Sequence, residues 1–129
     1  MFISVALVLL AFQFATPYAQ ATRCGTVVTE PDQQVQATTG QLFGVSLEAQ
    51  PGTGYSWSIA AEPDPAVAES VLNGLLPAAT PRPGAPQMQC FVFNAVADGE
   101  TDVQFQYARP FEPDAEPART QAIHLVVAS

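Results

Sequence analysis

Alternation with a period of two runs through most of this chain and limits what it can fold into. In Gln41–Ala49, Phe43, Val45, Leu47 and Ala49 fall on one face, and Gly44, Ser46 and Glu48 on the other. Tyr55–Ile59 repeats the pattern around Trp57, Thr101–Tyr107 keeps it unbroken, and Gln121–Val127 sets Ile123, Leu125 and Val127 on one side. Phe91, Phe93 and Ala95 extend the set through a strand near Gln89–Val96. Successive side chains of a strand point to opposite faces, so these segments predict half-buried antiparallel strands. Turn chemistry separates them. Asp98-Gly99 lies between two such patterns, where a hairpin turn belongs. Pro51–Gly54 interrupts another pair, and Pro81–Pro86 and Arg109–Glu116 read as loops. Only Asp64–Leu76 suits two structures: a short helix through its alanines, or a strand through Val71-Leu72 and Leu75-Leu76. There is no internal repeat and no inter-domain linker. Short strands at close spacing imply an all-β domain, an immunoglobulin-like antiparallel β-sandwich of about seven strands.

Size and charge narrow the function. A domain of about 100 residues buries a core of its own without a metal or several disulfides. A hydrophobic fraction of 48% argues against disorder, although 12 prolines demand many ordered turns. Twelve acidic residues face four arginines (Arg23, Arg82, Arg109 and Arg119), with no lysine and a net charge of -8. Nucleic acid needs a basic footprint, and anionic lipid attracts basic segments, so neither partner fits. A soluble monomer does.

Residues 1–21 stand apart as an expected signal peptide, leaving 22–129 as the domain. Phe2–Phe12 is almost wholly apolar, and Ala19-Gln20-Ala21 presents small residues at the two positions a signal peptidase reads. The run is too short to span a bilayer comfortably. No Lys or Arg precedes it, so retention as an anchor is the other reading. Arg23 stands where a lipoprotein signal needs a small residue before Cys24, which argues against lipidation. The expected location is therefore exported, periplasmic or secreted. Cys24 and Cys90 are the two cysteines. An even count in an exported chain favours a disulfide, which the loop-closure model values at about 4 kcal/mol. Two buried thiols acting as small hydrophobes are the alternative.

A catalytic constellation is hard to assemble. His124 is the one histidine and falls on the outward face of the last strand. No cluster of His, Cys and carboxylate has zinc-ligand spacing, and the glycines occur singly at turns rather than in a phosphate-cradling loop. Neither an enzyme, a metal site nor a cofactor is expected.

Three loops exceed what turning the chain requires. Gln50-Pro51-Gly52-Thr53-Gly54-Tyr55-Ser56-Trp57 resembles the first signature of the chagasin-like inhibitors of papain-type cysteine proteases, Asn-Pro-Thr-Thr-Gly, an aromatic and, two residues on, Trp. Pro51, Thr53, Gly54 and Trp57 match; Gln50 and Gly52 depart. Gly40-Gln41-Leu42-Phe43 is similar to the family's lead-in strand, and Tyr107-Ala108-Arg109-Pro110-Phe111 to its Tyr-x-Arg-Pro-Trp, with Phe111 replacing Trp. Between them the family has Gly-x-Gly-Gly. Here the segment reads Pro83-Gly84-Ala85-Pro86-Gln87, and only Gly84 matches.

The resemblance implies a reversible, non-covalent inhibitor that occludes the protease cleft with three loops: Pro51–Tyr55, Pro83–Ala85 and Arg109–Phe111. Alternate loops of such a sandwich emerge at one end. Thr53 would lie over the catalytic thiol, with Pro51, Gly52 and Gly54 letting the backbone approach closely. Arg109 and Phe111 suit interface anchors. Trp57 fills the interior. An exported immunoglobulin-like binding or adhesion module with a non-protease partner is the rival reading.

Overall fold

A computed structural model describes residues 24–77 and 84–129. The expected signal peptide, and Pro83 of the second loop, lie outside the described residues. Among the described residues eight strands form: β1 (Thr26–Val27), β2 (Gln33–Thr38), β3 (Leu42–Ala49), β4 (Ser56–Ala61), β5 (Ala68–Leu75), β6 (Gln87–Ala95), β7 (Gly99–Ala108) and β8 (Arg119–Ala128). They build two four-stranded sheets, ordered β1-β3-β6-β5 and β2-β8-β7-β4.

The alternating apolar residues meet between the sheets. Val45, Leu47, Phe91 and Phe93 from the first face Val35, Trp57, Val103, Phe105, Ile123 and Leu125 from the second, all buried in one cluster. Phe91 and Phe105 touch across the gap, ring centroids 4.9 Å apart. The polar exception is Gln89, buried on the inward face of β6. Its side chain accepts from the Trp57 N–H at 2.8 Å and donates to the Trp57 carbonyl at 2.6 Å, so one amide satisfies both backbone groups of the facing sheet. Among the described residues no buried side-chain polar atom lacks a partner.

Two local expectations change and one open choice is decided. Two pairings are parallel, β1 with β3 and β2 with β8, not antiparallel throughout. Alternation records which face is buried and is indifferent to strand direction, so it carries no sign of this. Asp64–Leu76 resolves as a turn and then β5. The Asp64 carboxylate accepts from the Ala66 N–H at 2.9 Å, and Ala68 onward pairs with β6. Its helix-forming alanines yield to sheet pairing. Finally Ser46, on the outward face, is fully buried.

That last difference comes from the N-terminal segment. Cys24 and Cys90 are joined in a disulfide that lies on the outer face of the first sheet. The Ser46 hydroxyl accepts from the Cys24 N–H at 2.8 Å and donates to the Cys24 carbonyl at 2.6 Å. Gly44 leaves room for this crossing, since a Cβ there would stand 3.0 Å from the Cys24 sulfur.

Candidate functional site

Strand register brings the three loop stems to one end of the sandwich. Ala49 lies opposite Gln87, Leu75 opposite Gln89 and Ser56 opposite Ala108. The β3–β4, β5–β6 and β7–β8 connections therefore leave from the same edge.

The first loop is a single 3-10 turn over Pro51–Thr53. Proline at its start supplies a fixed φ and gives up a donor that would have no partner there. Gly54 ends it in the left-handed region, φ 86°, with its N–H bonded to the Pro51 carbonyl. The Thr53 N–H and hydroxyl both donate to the Gln50 carbonyl, at 3.0 and 2.7 Å. Gly52 and Thr53 are exposed, while Pro51, Gly54 and Tyr55 are half-buried. The stem is braced from below. The Gln50 N–H donates to the Tyr107 hydroxyl at 2.9 Å, and the Trp57 indole N–H to the Glu48 carbonyl at 2.9 Å. Trp57 is buried as expected, tilted against Tyr107 at 4.9 Å.

The third loop closes on the first. Glu112 N–H bonds to the Arg109 carbonyl and Ala118 N–H to that of Tyr107, so the chain turns immediately after β7. Pro110 is exposed, and Phe111 is 70% exposed, the most open of the large hydrophobics described. Its ring nonetheless borders Gly54: a Cβ on Gly54 would sit 3.1 Å from it. Arg109 turns inward. Its guanidinium lies over the Tyr55 ring at 4.4 Å, and its Nε–H donates to the Thr53 carbonyl at 3.2 Å. Glu112 approaches it at 3.8 Å, a half-exposed contact that adds little.

The second loop stands apart. Gly84 is exposed with φ 78°, Ala85 is half-buried, and Gln87 is bonded to the Leu76 carbonyl at 2.9 Å. Among the described residues no hydrogen bond ties Gly84–Pro86 to either other loop.

Sequence reasoning missed Tyr107, Gln89 and Arg119 as supports. Arg119 stacks over Trp57 and Tyr107, at 5.3 and 5.5 Å, beneath the loops. Gln89 was detectable as a lone amide at an inward position of an apolar strand. Tyr107 and Arg119 gave no comparable signal, because their contacts run between distant strands.

His124 is not part of this edge. It sits on the outer face of β8, its Nδ1 2.7 Å from Asp102 and its Nε2 2.7 Å from Glu100. The hydrogen bond to Asp102, and then that to Glu100, raise its pKa above the usual histidine value. Among the described residues no group of His, Cys, Asp and Glu is arranged to hold a metal ion. What the edge offers is a shaped surface of small, aromatic and backbone groups.

Comparisons with known proteins agree with that geometry. Among curated proteins none matches the sequence. The cysteine protease inhibitor EhICP2 from Entamoeba histolytica has a similar structure, with TM-score 0.60 and 22% identity over 78% of this chain and 90% of that one. PbICP-C, solved in complex with falcipain-2, gives TM-score 0.56 and 18% identity over 81% of this chain and 98% of its own. Amebosin gives 0.51 and 20%, over 81% and 97%. These likenesses establish the fold. A family model described as chagasin family peptidase inhibitor I42 matches residues 36–125, which span all three loops, and the chain belongs to that family of peptidase inhibitors.

Proposed function

We propose that the domain inhibits papain-type cysteine proteases reversibly and without covalent attachment, by seating its loop edge in the active-site cleft. The observation that carries this reading is the exposed turn Gly52-Thr53, held at the tip of a braced loop with Phe111 open beside it. A papain-type site is a cleft with a thiolate–imidazole pair at its floor. Thr53 lies over the thiol, small enough to enter and offering no scissile bond in attack geometry. Pro51, Gly52 and Gly54 keep the approach narrow, and Phe111 packs against the cleft wall. With less area than Trp and no N–H donor, Phe111 grips more weakly. Gly84 and Ala85 flank the far side.

Residues 1–21 act as the signal peptide, and the domain from residue 22 works outside the cytoplasm, in the periplasm or secreted. The Cys24–Cys90 disulfide supports an oxidising location.

Titration of papain with the purified domain tests the reading. Activity should fall with added protein and recover on dilution, and the inhibitor should remain uncleaved. Papain, cathepsin-L-like and cathepsin-B-like enzymes all keeping full activity at excess protein would overturn it.

A further inference from the structure

We infer that Arg109 is a positioning residue that locks the first and third loops into one preassembled wedge, rather than an anchor that reaches the protease. The inference rests on the inhibitory role proposed above and goes beyond it by assigning how the edge is held. Arg109 is the first residue after β7, and Tyr55 the last before β4, its neighbour in the second sheet. Its guanidinium spans that junction. One flat face covers Tyr55, which in turn stacks on Tyr107 at 5.3 Å. The Nε–H holds the Thr53 carbonyl, at the tip of the first loop. The Phe111 ring centroid lies 5.9 Å from the same guanidinium and covers Gly54.

The chemistry requires arginine. A guanidinium is planar, weakly hydrated and carries donors in fixed directions, so it can stack on a ring and donate to a carbonyl at once. A lysine ammonium keeps the charge but offers neither the plane nor the fixed Nε–H. With one face on Tyr55 and Nε–H on Thr53, the free inhibitor already fixes the position of the group, although the side chain stays 35% exposed.

Preassembly has a kinetic signature. If the competent wedge is only partly populated, apparent affinity falls by that fraction, whereas contacts made after docking are unchanged. Removing a clamp therefore slows association and leaves dissociation nearly alone. Removing a direct anchor speeds dissociation.

The test compares Arg109→Ala and Arg109→Lys with the parent, in two arms. In the free protein, amide exchange at Thr53 and Gly54 should accelerate about tenfold in both variants as the turn loosens, with melting temperature almost unchanged. Against papain, both should associate roughly tenfold more slowly with similar dissociation rates. Arg109→Lys matching the parent in both arms would overturn the clamp, because charge alone would then suffice. Unchanged exchange with faster dissociation would also overturn it, in favour of direct contact. If the parent does not inhibit papain, the proposed function fails, and the exchange arm still decides the clamp.

Discussion

The first and third loops hold each other, whereas among the described residues Gly84–Pro86 of the second loop makes no hydrogen bond to either. Thr53, Gly54 and Tyr55 each meet Arg109 or Phe111 directly. In contrast β5 is exposed from Glu69 to Leu75, with Val71, Leu72 and Leu75 each about half open to solvent. A change at Gly54 is felt by Phe111, so the residues of those loops constrain one another. A change at Ala85 disturbs no hydrogen bond to either partner loop.

The largest effect that probes this comparison lies beneath both braced loops. Trp57→Ala should cost about 3–5 kcal/mol, through a core cavity and loss of the indole bond to Glu48. Inhibition would then fail only through unfolding, which a melting curve read beside the inhibition constant will show. Thr53→Arg should do the reverse. It leaves the core untouched and gives up one local hydroxyl bond, worth about 1 kcal/mol. It should nevertheless raise the papain inhibition constant by about 30-fold or more, as at an interface hot spot. A variant inhibiting as well as the parent would remove the first loop from the wedge.

Pro86→Arg places the same bulky charge on the second loop. Stability should stay within about 0.5 kcal/mol of the parent, and the inhibition constant should rise far less than for Thr53→Arg. Equal losses from the two arginines would break the comparison and make the second loop a full partner in contact.

The smallest effect lies away from all three loops. A neutral imidazole has one donor and one lone pair, so only imidazolium can donate to both Asp102 and Glu100. Its folded pKa is raised above the unfolded value. The stabilisation is therefore fully present below about pH 6.5 and is lost as pH rises through the higher folded value. The parent's melting temperature should accordingly drop more between about pH 6 and pH 8 than that of His124→Gln. Parallel curves for the two proteins would show that this cluster contributes no pH dependence.

The sandwich was legible because burial writes itself into alternation: Phe43, Val45 and Leu47, or Ile123, Leu125 and Val127, declare their face without reference to any other strand. Loop chemistry was legible in part. Pro51, Gly54, Arg109 and Phe111 could be singled out as unusual, yet the inward turn of Arg109 could not. That turn depends on Tyr55 lying beside it, and adjacency of β4 and β7 is a property of the whole sheet. The same limit hid the burial of Ser46, which is covered by Cys24, 22 residues upstream in sequence, and the parallel pairing of β2 with β8.

That pairing has a consequence for how the chain becomes native. Gln33 aligns with Ile123 and Thr38 with Ala128, so an early strand waits for one from the far end of the domain. In its sheet β8 sits between β2 and β7. Until β8 emerges from the ribosome, β2 has no neighbour and β7 lacks one side. Topologies dominated by such distant contacts fold slowly, because the loop must close before any contact rewards it. Synthesis alone thus cannot complete this domain strand by strand. The finished sheet forms only once β8 is available to bridge β2 and β7.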